Sequence, residues 1–296
     1  MSRISFKHTT LLRLLLLHLL QAIASSSHES VASSSRRAPP NVIVVGGSSG
    51  MGKAAALCTV EKGGKCLLIS RSKEKLLTAQ QYLVEQVEGA DVDIAILDMT
   101  DEEAVERFAK EDLNDNEWDG LVISAAGKAP HGPMMKLATS ESRSMMESKF
   151  WGAYNCAKYF APKLTHGGCV VLVAGILNRR PGLNCVPLAI ANGALEALTK
   201  SLALEWGPRL RVNCLSPGFC DTERFDHLTA ERKQKMLANT AASLPLQRVG
   251  EPKDMGEAIY YLLTAPFATG VILDVDGGHG IRQYASMTND PMRKTS

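Results

Sequence analysis

From Asn41 onward, short apolar runs alternate with longer amphipathic stretches. Seven runs stand out, at residues 42–45, 66–70, 92–97, 121–124, 169–174, 210–215 and 271–275. They are rich in Val, Ile and Leu and lack the apolar–polar alternation of a strand with one wet face, so they are predicted to be strands buried on both sides. Helical stretches lie between most of them. This rhythm predicts a single α/β domain over residues 41–296, a doubly wound (Rossmann) seven-stranded parallel sheet with helices on both faces. Residues 222–253 break the rhythm: polar, and helix-prone over 230–239, they lie between the last two runs and read as a flap over the strand ends. No internal repeat is visible.

Residues 1–40 follow another pattern. Arg3 and Lys7 open the chain, residues 11–24 are almost all aliphatic apart from Arg13 and His18, and the run closes on Ala22-Ile23-Ala24. A basic start, an apolar middle and small residues at the end describe a secretory signal peptide. A serine-rich stretch ending in Arg36-Arg37 follows, with Glu29 its single acid, in the manner of an organelle transit peptide. Together the two halves resemble a bipartite leader for plastid import; mitochondrial or endoplasmic-reticulum targeting and an uncleaved anchor are the alternatives. The apolar run is short for a membrane span.

Charge changes meaning once that segment is set aside. Of 33 basic and 31 acidic residues, residues 1–41 hold five and one, so the remaining body carries 28 against 30, a net −2. Such a surface gives no electrostatic footprint for nucleic acid or an anionic membrane, and neither is expected as a partner of the folded domain. Seven cysteines include no C-x-x-C pair, so no metal site is predicted. They are expected to be small buried apolar residues, and Cys66, Cys169 and Cys214 fall in predicted strands, which favours a thiol-reducing compartment.

The first strand runs into Gly46-Gly47-Ser48-Ser49-Gly50-Met51-Gly52, followed by the helical Lys53-Ala54-Ala55-Ala56. A tight strand-to-helix turn that brings its backbone against a diphosphate needs glycines, and the helix start supplies free N–H groups and a positive dipole end. Gly46, Ser48, Ser49, Gly50, Met51 and Gly52 are therefore candidate nucleotide contacts. After the second strand, where an acid would bond a ribose 2′-hydroxyl, the chain reads Ser70-Arg71-Ser72. Arg71 can clamp a 2′-phosphate, with both serines as hydroxyl donors, so NADP(H) is the expected cofactor. Asp98 and Met99, just past the third strand, are expected beside the adenine.

From about Val42 to Gly280 the sequence resembles the short-chain dehydrogenase/reductase family. Besides the three motif glycines and Asp98, the likeness is carried by Ala126-Gly127, Arg211-Val212-Asn213, Pro217-Gly218 with Thr222, and Val275-Asp276-Gly277-Gly278. The resemblance implies that Pro217, Gly218 and Thr222 hold the nicotinamide. It also implies a catalytic Asn, Ser, Tyr and Lys, the Tyr hydroxyl donating to the substrate carbonyl. Alignment on Asn192-Gly193-Ala194 places Leu188 at the Tyr position and Asn192 at the Lys position, with Gly175 or Ala174 at the Ser position. Lys149 stands at the Asn position.

Lys149 and Asn192 thus look exchanged between two helices that, as the resemblance implies, face one another across the nicotinamide ribose, and both are candidate catalytic residues. A lysine in a partly dry pocket can act as acid or base or stabilise an oxyanion; alternatively Lys149 binds only ribose and catalysis has been lost. In the loop Asn178-Arg179-Arg180-Pro181 an arginine could hold an anionic substrate, or the pair is solvated; His131 is a minor candidate. Two functions stand open. One is an NADP(H)-dependent oxidoreductase acting on a carbonyl or alcohol small molecule with non-standard catalytic residues. The other is an inactive NADP(H)-binding sensor or assembly partner. A homodimer or homotetramer is implied by the resemblance.

Overall fold

Val42–Val45 forms β1, and all four side chains are buried. Ile43 and Val45 enter one core cluster while Val42 and Val44 enter another, which is why the run has no polar alternation. The computed structural model describes residues 38–281. Nearly all of the targeting segment lies outside the described residues. The remaining strands are β2 (Cys66–Ser70), β3 (Val92–Ile96), β4 (Trp118–Ile123), β5 (Leu164–Val173), β6 (Arg211–Pro217) and β7 (Ile272–Val275). All pair in parallel, in the order β3-β2-β1-β4-β5-β6-β7, the predicted seven-stranded sheet.

Helices α1 (Gly50–Glu61), α2 (Lys73–Gln86) and α8 (Pro252–Thr264) close one face, and α3 (Glu102–Glu111), α5 (Gly152–Phe160) and α6 (Val186–Trp206) the other. Helix α4 (Thr139–Met146) runs into α5 through a π-helical turn, Glu147–Trp151, and α7 (Ala230–Ala242) lies in the flap. Strand order reverses at β1, so the crevice outside the carboxyl ends of β1 and β4 is where a doubly wound sheet binds ligands.

Boundaries differ from the sequence pattern where pairing outweighs hydropathy. β4 begins at Trp118 and β5 at Leu164, because these two residues pair across an irregularity that the run-counting pattern does not register. β6 runs on to Pro217, whose partner is Val275. The flap is closed at its base by an isolated bridge between Cys220 and Gly250, and α7 has no buried residue.

All seven cysteines are buried and unbridged. Burial pushes the thiols of Cys66, Cys214 and Cys220 up to about 12, which makes them inert packing groups. No helix among the described residues is long and apolar enough to cross a membrane.

The two helices nearest the site's back wall touch closely. A Cβ placed on Gly256 of α8 would stand 2.6 Å from the Ala54 carbonyl oxygen of α1, backbone that cannot yield. Gly256→Ala is therefore expected to lower stability by about 1–3 kcal/mol through overpacking. Thermal unfolding checks this, and an unchanged melting temperature would contradict the close crossing.

Candidate active site

The turn from β1 into α1 is shaped by what it cannot accommodate. Gly46 lies at φ +88, and a Cβ there would stand 2.6 Å from the Ala125 nitrogen of the β4 exit. A Cβ on Gly52 would collide with the Gly46 carbonyl and the Ser124 hydroxyl. Strand, turn and helix are thereby pressed together, and only glycine allows it. Ser49, the N-cap of α1, is extended and makes no side-chain cap bond, and the first turn of α1 holds no acid. The helix start is thus open to an external acceptor.

An acceptor is already present. The Glu223 carboxylate, from the start of the flap, takes the Gly50 N–H at 2.7 Å on Oε2 and the Lys53 ammonium at 2.6 Å on Oε1. Sequence reasoning missed Glu223. Its signal was an acid directly after Thr222, whose methyl group lies about where a Gly50 Cβ would meet it, at 3.5 Å.

Around this turn the other candidate contacts take their places. Ser72 caps α2 by accepting the Lys75 N–H at 3.3 Å, and the Ser70 hydroxyl accepts the Ser72 N–H at 3.3 Å. Arg71 is exposed, its guanidinium 3.8 Å from the Asp98 carboxylate. Burial works to raise the Asp98 carboxyl, but the Thr100 N–H and hydroxyl together with Arg71 hold it below the usual range. Met99 is buried beneath Gly152, and its carbonyl accepts from Asn155 at 3.2 Å, so its side chain belongs to the core. Ala126 and Gly127 follow β4, where a Cβ on Gly127 would meet the Ser148 hydroxyl at 2.6 Å. Pro217 ends β6, and the Gly218 N–H bonds the Val275 carbonyl at 3.0 Å.

Lys149 and Asn192 converge on one junction, the exit of β5. Lys149, on the π-helical turn, is 7% exposed and donates to the carbonyls of Val173 at 3.2 Å and Ala174 at 3.1 Å. Asn192, on α6, packs against the next residue: a Cβ built on Gly175 would lie 2.9 Å from its Nδ2. Gly175 sits at φ +152, in a conformation side chains rarely adopt. The asparagine amide fills the space a side chain at position 175 would need. Asn192 Oδ1 is buried and has no hydrogen-bond partner among the described residues. Leu188 lies in a small apolar cluster with Ala129, Met145, Met146 and Ala191.

Arg179 is exposed yet engaged: it pairs with Asp274, lies 3.1 Å from Glu196 and donates to the Ser216 hydroxyl at 2.7 Å, binding the post-β5 loop to α6, β6 and β7. His131 is exposed, with Nδ1 3.5 Å from the Cys185 sulfur.

With the geometry in place, comparison with known proteins is decisive about kinship. The family profile described as "Enoyl-(Acyl carrier protein) reductase", of the short-chain dehydrogenase type, matches residues 45–280. The chain belongs to the short-chain dehydrogenase/reductase family. Carbonyl reductase family member 4 of Danio rerio is 30% identical over 232 residues, spanning 77% of this chain and 93% of that protein. The peroxisomal 2,4-dienoyl-CoA reductase of Danio rerio is 30% identical over 237 residues, covering 78% of each chain. A small-chain dehydrogenase solved in complex with NADPH superposes with a TM-score of 0.67 at 30% identity, over 82% of this chain and 99% of that one. This is an oxidoreductase family that uses nicotinamide cofactors.

The Lys149 ammonium carries a measurable signature. Burial lowers it from 10.5 to about 8; Cys214 opposes the shift and Arg224 of the flap adds to it. The folded protein thus releases this proton before the unfolded chain does, and between pH 8 and 10.5 the unfolded state holds more protons, so this group adds stability as pH rises. Wild type is expected to gain stability relative to Lys149→Met across that window, as read by melting temperature in matched buffers. A difference independent of pH would show that Lys149 is not a buried cation.

Proposed function

We propose that this short-chain dehydrogenase/reductase is an NADP(H)-dependent oxidoreductase of small carbonyl or alcohol compounds, with Lys149 in place of the usual hydroxyl donor. The observation that carries the nucleotide half is the β1–α1 turn, which already grips an anionic oxygen with the Gly50 N–H. A diphosphate oxygen accepts an N–H as that carboxylate does, and the close packing at Gly46 and Gly52 sets the helix start directly above the end of β1, which supports a diphosphate there. Ser48, Ser49, Gly50, Met51 and Gly52 would hold the diphosphate. Arg71, two-thirds exposed and with its Asp98 partner at 3.8 Å, can turn to a 2′-phosphate, which supports NADP(H) over NAD(H). The bound cofactor supplies or accepts hydride.

The chain's own part is to hold the reacting oxygen and manage its charge. An ammonium has three N–H donors, and Lys149 gives two to the β5 carbonyls. The third remains for a substrate oxygen at the strand exit, where a positive charge in a dry site stabilises a developing oxyanion. With a pKa of about 8 the group is mostly charged at neutral pH yet close enough to neutrality to pass a proton. Asn192, with an unsatisfied Oδ1 beside Gly175, supplies a neighbouring acceptor.

A second reading has its own support. Leu188 sits in an apolar cluster, and Lys149 bonds backbone on two of its three protons, as a purely structural lysine would. On that reading the protein binds NADP(H) as a sensor or assembly partner without turnover. Exposed Trp151 and Tyr154 beside α5, and Ile190 and Leu204 on α6, support association of this face into a homodimer or homotetramer. The leader, as read from sequence, supports delivery to an organelle, with a plastid favoured.

Fluorescence titration tests the nucleotide assignment shared by both readings, and turnover separates them. NADPH is expected to bind more tightly than NADH, and Arg71→Glu to lose that preference by about ten- to hundredfold, the worth of one charge-assisted contact. Equal affinities in wild type would remove Arg71 as the phosphate reader. On a panel of carbonyls and alcohols, Lys149→Ala is expected to cut kcat by about a hundredfold or more with cofactor affinity retained. Tight NADPH binding with no turnover of any compound by wild type would favour the second reading.

A further inference from the structure

Glu223 does something that neither the family kinship nor the proposed reaction requires. Its two carboxylate oxygens bridge the Gly50 N–H and the Lys53 ammonium, within the helix start proposed above to hold a diphosphate. The charge is stable there: burial works to raise the Glu223 carboxyl, but Lys53 and the Gly50 N–H outweigh it and hold it below the usual range. The N-cap Ser49 contributes no cap bond and the first helical turn contains no acid, so Glu223 is the group that satisfies this helix start. Beside the contact lies a cleft of about 370 Å³ walled by Ser48, Ser49, Lys53, Lys75, Thr222 and Arg224. Three cations line it, Lys53, Lys75 and Arg224, with two carboxylates, Glu74 at its rim and Glu223 on the helix start.

The carboxylate rides on an element built to move as a piece. Glu223 begins a short 3-10 turn, Glu223–Phe225, whose Phe225 stacks on Phe219 with ring centroids 5.1 Å apart. Within the flap, Lys233 of α7 pairs with both Asp221 and Asp226 at 3.0 Å, fastening the helix to the segments on either side of Glu223. Helix α7 contributes no buried residue to either core, so little packing resists its displacement. The flap is held at its base, where Leu244 is buried and the Leu246 N–H bonds the Gly277 carbonyl at 3.2 Å, while the Glu223 turn and the unburied α7 stand beyond that base as a latch.

We propose that Glu223 is an internal competitor for the diphosphate cradle, so that a dinucleotide binds only by displacing the carboxylate and releasing the segment from Thr222 to Phe225. The inference rests on the nucleotide-binding reading above and specifies how that site is regulated. A diphosphate at Gly50 and the Glu223 carboxylate cannot share the same N–H, and their charges repel, so each bound state excludes the other. Apparent affinity is then the intrinsic affinity scaled by the fraction of molecules with the latch open. The freed Lys53 becomes available to the incoming phosphate.

The test uses the full chain with NADPH and inorganic pyrophosphate as titrants, and chloride of matched ionic strength as the control for bulk salt. Glu223→Gln and Glu223→Ala are expected to bind NADPH and pyrophosphate about tenfold more tightly than wild type, while Glu231→Gln, a flap acid outside the contact, leaves both affinities unchanged. Hydrogen exchange is expected to rise in the peptide spanning residues 46–53 in either Glu223 variant. In wild type, pyrophosphate is expected to raise exchange over residues 219–228. Equal or weaker binding of both anions by the Glu223 variants overturns the latch, as does exchange over residues 46–53 that ignores the substitution. If the variants gain affinity for pyrophosphate while no form binds NADPH, the latch stands and the dinucleotide reading falls.

Discussion

The packing of α1 against the exit of β1 is the constraint on which the rest of the molecule depends. With Gly46 against Ala125 and Gly52 against the Gly46 carbonyl, the helix starts immediately above a buried strand and cannot be shifted outward by a side chain. Three consequences follow from this single approach. The helix starts beside the crevice where strand order reverses, with the Gly50 N–H taken by Glu223, the Ser124 hydroxyl at the β4 exit reaches the Val45 carbonyl at 3.2 Å, and farther along α1 the α8 backbone comes close enough at Gly256 that no larger residue fits. A looser turn would still allow a parallel sheet, but it would aim the helix dipole elsewhere.

The β5 exit shows how two positions can change together without cost to packing. A side chain at residue 175 would need the space that the Asn192 amide fills, and glycine at 175 lets the amide in. Lys149 reaches the same junction from the opposite helix and donates to the carbonyls of Val173, the last residue of β5, and of Ala174, the next. The π-helical turn that carries Lys149 widens the helix at this point, a distortion that usually marks function rather than stability. Burying an ammonium costs several kcal/mol unless hydrogen bonds offset it, and two carbonyls account for only part of its donor capacity. A core lysine retained under those terms is more economically explained by charge than by shape.

How much of this could be read from the chain alone follows from the range of the interactions. Buried parallel strands announce themselves locally, since each residue faces a core on one side or the other, and the glycine turn is a contiguous motif. Family resemblance put Lys149 and Asn192 on two facing helices, but not at the β5 exit where the structure places them. What escaped depends on contacts between distant segments. Glu223 meets Gly50 across 173 residues, and Arg179 meets Asp274 across 95, with no periodicity to signal either. An arginine pair in a loop reads as solvated until a strand of the sheet is seen to present an acid to it. Met99 likewise reads as a ligand neighbour by position, while its side chain is drawn into the core by the space beneath Gly152.

These long-range pairs share a logic. Around the crevice the protein satisfies its own charges: Glu223 with Lys53, Arg71 with Asp98, Lys149 with the β5 carbonyls, Arg179 with Asp274. A ligand entering such a site does not find bare charges. It exchanges one partner for another, and its affinity is the difference between two similar hydrogen-bond energies rather than the sum of new ones. The pairs differ in how readily they exchange. Arg71 is two-thirds exposed and its carboxylate stands at 3.8 Å, so little is lost when it turns to a phosphate. Glu223 bonds at 2.7 Å to a helix N-terminus and at 2.6 Å to an ammonium, so its displacement is the costly step. On the proposed reading, charge selectivity resides in Arg71 and control over entry in the flap that carries Glu223.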